Sequence, residues 1–282
     1  MYRAPRIFAN SKPVQEINLF YRSWIPVNPI GLVLLIHGAG EHSGFYTHIG
    51  KECVNRKIGF MAPDLRGFGK SGGQRGHVDR FKEYLDDLDD LVTQLQIRYQ
   101  GLPLFLCGHS LGGLIAIRFA QQLESKPAGV ILSSPALGTR LPTTIRKCFD
   151  LVSLLTPALP LELIKWNESL KKWKWLQSRL PGWTSDLLDD PSATIQYTPR
   201  WFAELSRNGT KALSEANRFH YPTLCLYDRF DPIVNSDLIE QFIQMIVSED
   251  KTCAVFTEGN HSLLQNGELL NQMFHWLSTR LT

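Results

Sequence analysis

Little in this chain is extreme, and its shortages are the first guide to what it does. Five cysteines stand apart at positions 53, 107, 148, 225 and 253. An odd number with no Cys-x-x-Cys pair excludes a disulfide framework and a thiolate metal site. Cys107, Cys225 and Cys253 lie inside apolar runs, so buried, reduced thiols are expected there. No apolar run reaches membrane-spanning length without a charge or a proline. No apolar h-region follows Met1-Tyr2-Arg3-Ala4-Pro5-Arg6, which argues against a signal peptide and for a soluble, cytoplasmic chain. A formal net charge of +3 leaves no basic excess that would point to nucleic acid. Repeats and low-complexity tracts are missing. The cluster Asp86, Asp87, Asp89 and Asp90 has no histidine beside it, so it reads as a solvated helix face. Neither a metal nor a cofactor is expected.

What is present fits a soluble enzyme of 282 residues, 43% hydrophobic and 20% charged, long enough for one large domain or a domain with an insertion. Continuous apolar runs at 32–36, 59–63, 102–107, 128–132, 223–227 and 252–256 read as strands, the run 32–36 as a central one covered on both faces. Ile17–Ile25 reads as a further strand. Helical spacing falls between them, near 46–56, over 78–99 (Phe81, Leu85, Leu88, Val92, Leu95), over 236–247 and over 267–281. This alternation predicts a mostly parallel α/β sheet. It breaks between about 139 and 217, where prolines punctuate helices and five of the seven tryptophans gather (Trp166, Trp173, Trp175, Trp183, Trp201). The expected domains are a core of 1–138 and 218–282 with a helical cap of 139–217.

The most informative stretch is Leu102–Gly113, an apolar run that ends in Gly108-His109-Ser110-Leu111-Gly112 and continues in a helix-compatible segment. This is the strand–turn–helix setting of a nucleophile elbow. A Cβ at Gly108 or Gly112 would clash in such a turn, and Ser110 would project beyond the sheet at a helix N-terminus. In an α/β sheet, reactive groups come from loops at the carboxyl ends of the strands. Those loops hold His37-Gly38-Ala39-Gly40, the run Asp64–Gly73, Asp228 and Asp231 after one strand, and Glu258 and His261 after the next. A serine hydroxyl needs a base within reach to attack a carbonyl, and His261 can take and return that proton. A carboxylate, Asp228 or Asp231, would orient the imidazole. The backbone N–H groups of Ala39 and Leu111 are the candidate oxyanion donors. His37 reads as a brace for the Ala39 loop.

Four blocks, His37–Gly44, Asp64–Ser71, Arg75–Val78 and Gly108–Gly113, together resemble the monoacylglycerol lipase/lysophospholipase branch of the α/β-hydrolases. The similarity runs from about Ile17 to the C-terminus and is weakest across the insertion. It implies an α/β-hydrolase fold with an eight-stranded sheet, a mobile helical cap and a serine esterase triad of Ser110, Asp231 and His261. It also implies that Glu41, His42 and His109 line the narrow end of the pocket near the alcohol group. The chain departs from the family at Asp228 (usually Gly), Phe45 (commonly Arg) and Leu111 (usually Met).

Within the cap, Ile145, Phe149, Val152 and Leu155 suggest an apolar face, and Lys165, Lys171, Lys172, Lys174 and Arg179 cluster near the tryptophans. One reading is an acyl guide whose basic aromatic rim makes peripheral membrane contact. The other is a packed lid with a solvated basic face. The expected function is a serine carboxylester hydrolase for single-acyl lipids. Its alternatives are a small-ester carboxylesterase, a peptidase, or an idle hydrolase fold that binds a ligand.

Overall fold

The computed structural model describes residues 2–9, 17–122, 127–139, 150–162 and 190–281. Its centre is a sheet of eight strands: β1 (Tyr2–Ala9), β2 (Asn18–Trp24), β3 (Gly31–Ile36), β4 (Ile58–Pro63), β5 (Leu104–His109), β6 (Gly129–Ser133), and, after a two-stranded ribbon of β7 (Leu161–Glu162) and β8 (Gln196–Tyr197), β9 (Thr223–Asp228) and β10 (Lys251–Phe256). The spatial order is β1-β2-β4-β3-β5-β6-β9-β10. Only β2 runs against the others.

The apolar runs alternate between two cores because successive strand side chains point to opposite faces. Leu32, Leu34 and Ile36, with Leu104 and Leu106, pack on one face beneath α2 (Lys82–Arg98), α3 (Leu111–Gln122), α4 (Pro199–Ser214) and α5 (Ser236–Met245). Val33, Leu35, Phe105 and Cys107 pack on the other, beneath α1 (Thr47–Asn55) and α6 (Gly267–Ser278). Helix α3 is buried on every side. A helix in that position needs no polar stripe, and its sequence carries almost none.

One edge strand has no counterpart in the sequence pattern, and two sequence expectations need revision. The strand β1 adds itself to β2 across an interruption between Arg3 and Arg6. Pro5, which has no amide hydrogen, falls in that interruption, and a proline between two arginines hides an edge strand from a pattern search. Cys253 is exposed rather than buried, because β10 is the outer strand and has a neighbour on one side only. Asp87 is not on a solvated face. It lies three residues after Tyr84 and four before Leu91, on the inward stripe of α2, and takes Arg66 Nε and Nη2 at 2.6 and 2.7 Å. Glu83 takes the remaining Arg66 nitrogen, Nη1, so this cation anchors the loop after β4 to α2.

Within 139–217, the helix α4 packs against α3. Thr198 caps α4 by accepting the Trp201 amide. Gln121 Nε2 donates to Ala212 O at 2.8 Å, and Arg118 Nη1 to Glu215 Oε2 at 2.6 Å. A Cβ at Gly209 would lie 2.4 Å from Leu137 O, so glycine lets these backbones meet. Trp201 and Ala212 on the apolar side of this helix are buried in the same core as α3. Further up, Leu151, Leu154, Leu155 and Leu159 are exposed, Leu155 by 78%. Trp166, Trp173, Trp175, Trp183, Ile145, Phe149 and the basic cluster of 165–179 lie outside the described residues.

Candidate active site

At the carboxyl end of β5 the chain turns through Ser110, whose φ is +51°. A non-glycine residue in the left-handed region is strained and persists only where its surroundings hold it. Here the Ser110 amide donates to Ser133 O at 2.9 Å, and its carbonyl accepts from Leu114 and Ala136. A Cβ on Gly108 would meet Gly112 O at 2.4 Å, and one on Gly112 would meet Ile36 O at 2.0 Å. Both obstacles are backbone, so the turn cannot move aside. Gly112→Ala is therefore expected to lower stability by about 3 kcal/mol or more, an overpacking penalty. Urea unfolding would read it, and a variant as stable as the parent would refute this account of the turn.

The loops after β9 and β10 complete the constellation. His261 Nδ1 lies 2.7 Å from Asp231 Oδ2. Asp231 Oδ1 accepts the Ile233 and Val234 amides at 2.8 and 3.0 Å. Burial alone would raise the Asp231 carboxyl, but the His261 bond and charge and these two amides outweigh it and hold it below the usual carboxylate range. An anionic Asp231 can only accept, so His261 Nδ1–H donates to it. Asp228 does something else. Its Oδ1 takes the Phe230 amide at 2.8 Å, and its Oδ2 takes Glu258 and Asn260 at 2.9 and 3.1 Å. It fastens the acid loop to the histidine loop and does not touch the imidazole.

His109 packs its ring on His261 with centroids 4.9 Å apart. Burial pushes its pKa down to about 4 against the pull of Glu41, so the ring is neutral. Glu41 is also buried. Burial alone would raise it, but His109, the Tyr46 hydroxyl and the Gly38 amide hold it low. Glu41 Oε2 accepts Gly38 N–H at 2.8 Å and Tyr46 O–H at 2.5 Å, while Oε1 stands 3.9 Å from His109 Nε2.

His42 is placed differently. Its Nδ1 accepts the Gly44 amide at 3.0 Å, its Nε2 donates to Asp190 Oδ2 at 2.9 Å, and its ring meets Phe45 edge-on. Both ring nitrogens are thus taken up by the protein. Thr194 N–H donates to Gly40 O at 2.9 Å, so the chain around 190–194 is laced to the same loop. Nothing in the sequence singles out Asp190 or Thr194. They lie far along the chain from their partners and carry no motif.

The Gly38 Cα abuts the elbow: a Cβ there would lie 3.3 Å from Ser110 Cβ. Ala39 and Leu111 therefore flank the serine from two loops, and their amides meet no acceptor among the described residues. Leu111 is buried and Ala39 half-buried, and amides left unpaired at such a depth require an explanation.

Comparisons with known proteins place the chain among hydrolases. A family model described as Hydrolase_4, serine aminopeptidase S33, matches residues 27–268. The monoglyceride lipase of Homo sapiens is 29% identical, over 98% of this chain and 95% of that protein. Phospholipase YtpA of Bacillus subtilis is 29% identical, over 81% of this chain and 86% of its own length. The crystal structure of a Paleococcus ferrophilus monoacylglycerol lipase superposes with a TM-score of 0.78 at 28% identity, over 93% of this chain and 99% of that one.

Proposed function

The chain belongs to the Hydrolase_4 family of α/β-hydrolases, on its monoacylglycerol-lipase-like branch, and from that membership we propose a serine carboxylester hydrolase acting on single-acyl lipids. The observation that carries the proposal is the Asp231–His261 bond of 2.7 Å standing beside the strained Ser110 turn. In this reading His261 Nε2 removes the Ser110 proton as Oγ attacks the ester carbonyl. The Ser110 hydroxyl forms no protein hydrogen bond among the described residues, which leaves it free to rotate toward the imidazole. The amides of Ala39 and Leu111 receive the negative charge that develops on the carbonyl oxygen. His261 then protonates the departing alcohol, and an acyl group remains on Ser110. Water activated by the same imidazole releases the fatty acid. Asp231 stays ionised throughout and keeps Nδ1 protonated.

The acyl end belongs with the cap, taken here as 139–198 because α4 is core. The exposed Leu151, Leu154, Leu155 and Leu159 support an apolar guide for the chain and a peripheral contact with a lipid surface. Among the described residues no helix is long and apolar enough to cross a membrane. The alcohol would be glycerol or a glycerophosphate-based headgroup, following the names of the relatives. An aminopeptidase would need a free carboxylate for the substrate amine. Glu41 already holds Gly38 and Tyr46, which favours the ester reading.

The test is a substrate panel. On p-nitrophenyl esters, kcat/KM is expected to rise at least tenfold from the acetate to medium and long chains, since each buried CH2 contributes about 0.8 kcal/mol. Monoacylglycerol and lysophospholipid should be turned over faster than diacyl lipids. A flat chain-length series would remove the lipid assignment.

A further inference from the structure

His37 directly follows β3 and is wholly buried. Its two ring nitrogens have partners of unlike kind. The Leu65 amide donates to Nε2 at 2.9 Å. An amide can only donate, so Nε2 must be the accepting nitrogen and the hydrogen sits on Nδ1. That Nδ1–H faces Gly38 O at 2.7 Å. The imidazole is therefore held in one tautomer by geometry alone. Burial, opposed by Asp64, keeps the ring neutral, and a second proton on Nε2 would point straight at the Leu65 N–H. The Phe68 ring meets His37 nearly perpendicularly at 5.6 Å and fixes its plane.

This has a consequence at the next peptide. The Gly38 carbonyl is pinned by His37 Nδ1–H and, more weakly, by the Glu41 amide at 3.3 Å. The Gly38–Ala39 peptide is planar and trans, as no cis bond occurs among the described residues. Its N–H must then point away from its carbonyl. Around it, Gly38 N–H is held by Glu41 Oε2, and Gly40 O by Thr194 N–H. Gly38 N–H, Gly38 O and Gly40 O thus each have a partner, while the Ala39 amide meets no acceptor among the described residues. Donation to a carbonyl also polarises the N–H at the other end of the same peptide.

Resting on the serine-hydrolase reading above, we infer that His37 is a positioning residue for catalysis: its Nδ1–H locks the Gly38–Ala39 peptide so that the Ala39 N–H is turned to where the oxyanion forms. If the imidazole is removed, the peptide can rotate and present its carbonyl there instead, against the developing charge.

Two substitutions separate this role from simple packing. In His37→Asn the side-chain Nδ2–H overlays Nδ1–H, so the donor to Gly38 is kept and the acceptor for Leu65 is lost. In His37→Gln the amide oxygen reaches the Nε2 position, so Leu65 is kept and the donor to Gly38 is lost. The Gln variant is expected to lose roughly 10²- to 10³-fold in kcat, the size of a lost oxyanion donor, with KM within about threefold. The Asn variant should lose about tenfold or less even if it melts at the lower temperature. Affinity for a trifluoromethyl ketone transition-state analogue should fall in step with kcat/KM, and affinity for the fatty-acid product should not. Equal activity in the two variants, or activity that simply follows melting temperature, would overturn the inference. Should neither variant fold, a two-bond 1H–15N spectrum of the wild-type histidines still decides it, because an Nε2–H tautomer at His37 contradicts the geometry. Reaction of wild-type Ser110 with a fluorophosphonate is checked first. Failure there would remove the serine-hydrolase reading, and this inference with it, whereas a labelled enzyme with indifferent His37 variants removes the inference alone.

Discussion

Ser110→Ala is expected to lower ester turnover by roughly four to six orders of magnitude, as loss of the nucleophile does in other serine hydrolases. The melting temperature should barely move. The hydroxyl makes no protein hydrogen bond among the described residues, so its removal leaves no buried partner unsatisfied. Alanine carries the same Cβ and meets the same +51° backbone strain. The check is kcat on a medium-chain p-nitrophenyl ester, with intact-mass analysis after fluorophosphonate treatment. Wild type should gain one adduct, on Ser110, and the variant none. A wild type that forms no adduct while folded would mean an idle hydrolase fold serving as a binding protein. Activity retained in the alanine variant would place the nucleophile elsewhere.

The second large effect separates two carboxylates three residues apart. Asp231→Asn is expected to lower kcat by about 10⁴-fold. The Ile233 and Val234 amides donate to Oδ1, so the asparagine oxygen must take that place and its NH2 must face His261 Nδ1. The imidazole is then forced into the opposite tautomer, with a hydrogen on Nε2 where the serine proton has to go. Asp228→Asn should behave differently. Three backbone amides converge on its two oxygens, and an NH2 group must oppose at least one of them. That leaves a buried donor unsatisfied, at about 1–3 kcal/mol, and lowers the melting temperature by roughly 3–8 °C. The loss in kcat should stay below about tenfold, because the His261–Asp231 bond is untouched. The reverse pattern, with catalysis failing in the Asp228 variant and stability in the Asp231 variant, would reassign the acid.

Legibility in the sequence followed the range of the interactions. The turn at Gly108–Gly112 could be read because its constraint is local: the glycines are required by backbone atoms within the motif and by the adjacent strand. The strands β3, β5, β6 and β9 could be read because strands covered on both faces must be apolar without interruption. The same rule failed at Cys253, since an apolar run does not reveal whether a strand lies inside a sheet or at its edge. It failed in the other sense at β1, where an edge strand tolerates Pro5 and two arginines. Asp87 was misread because four acids on one helix look alike until the position of Arg66 is known.

At the candidate site the division is sharper. Ser110 and His261, and the choice of Asp228 or Asp231 as acid, follow from residue types in chain order, since the chemistry needs those groups and the fold delivers them at strand ends. Which carboxylate meets the histidine depended on the parallel register of β9 and β10, which brings the Glu258 and Asn260 amides onto Asp228 and leaves Asp231 to turn toward His261. Likewise, the engagement of His42 with Asp190 and of Gly40 with the Thr194 amide rests on groups that approach from more than a hundred residues away. Composition and motif carry the covalent chemistry because it is encoded in side-chain identity. The facing of each group, and hence its role, is set by backbone amides that every residue possesses and no sequence pattern marks.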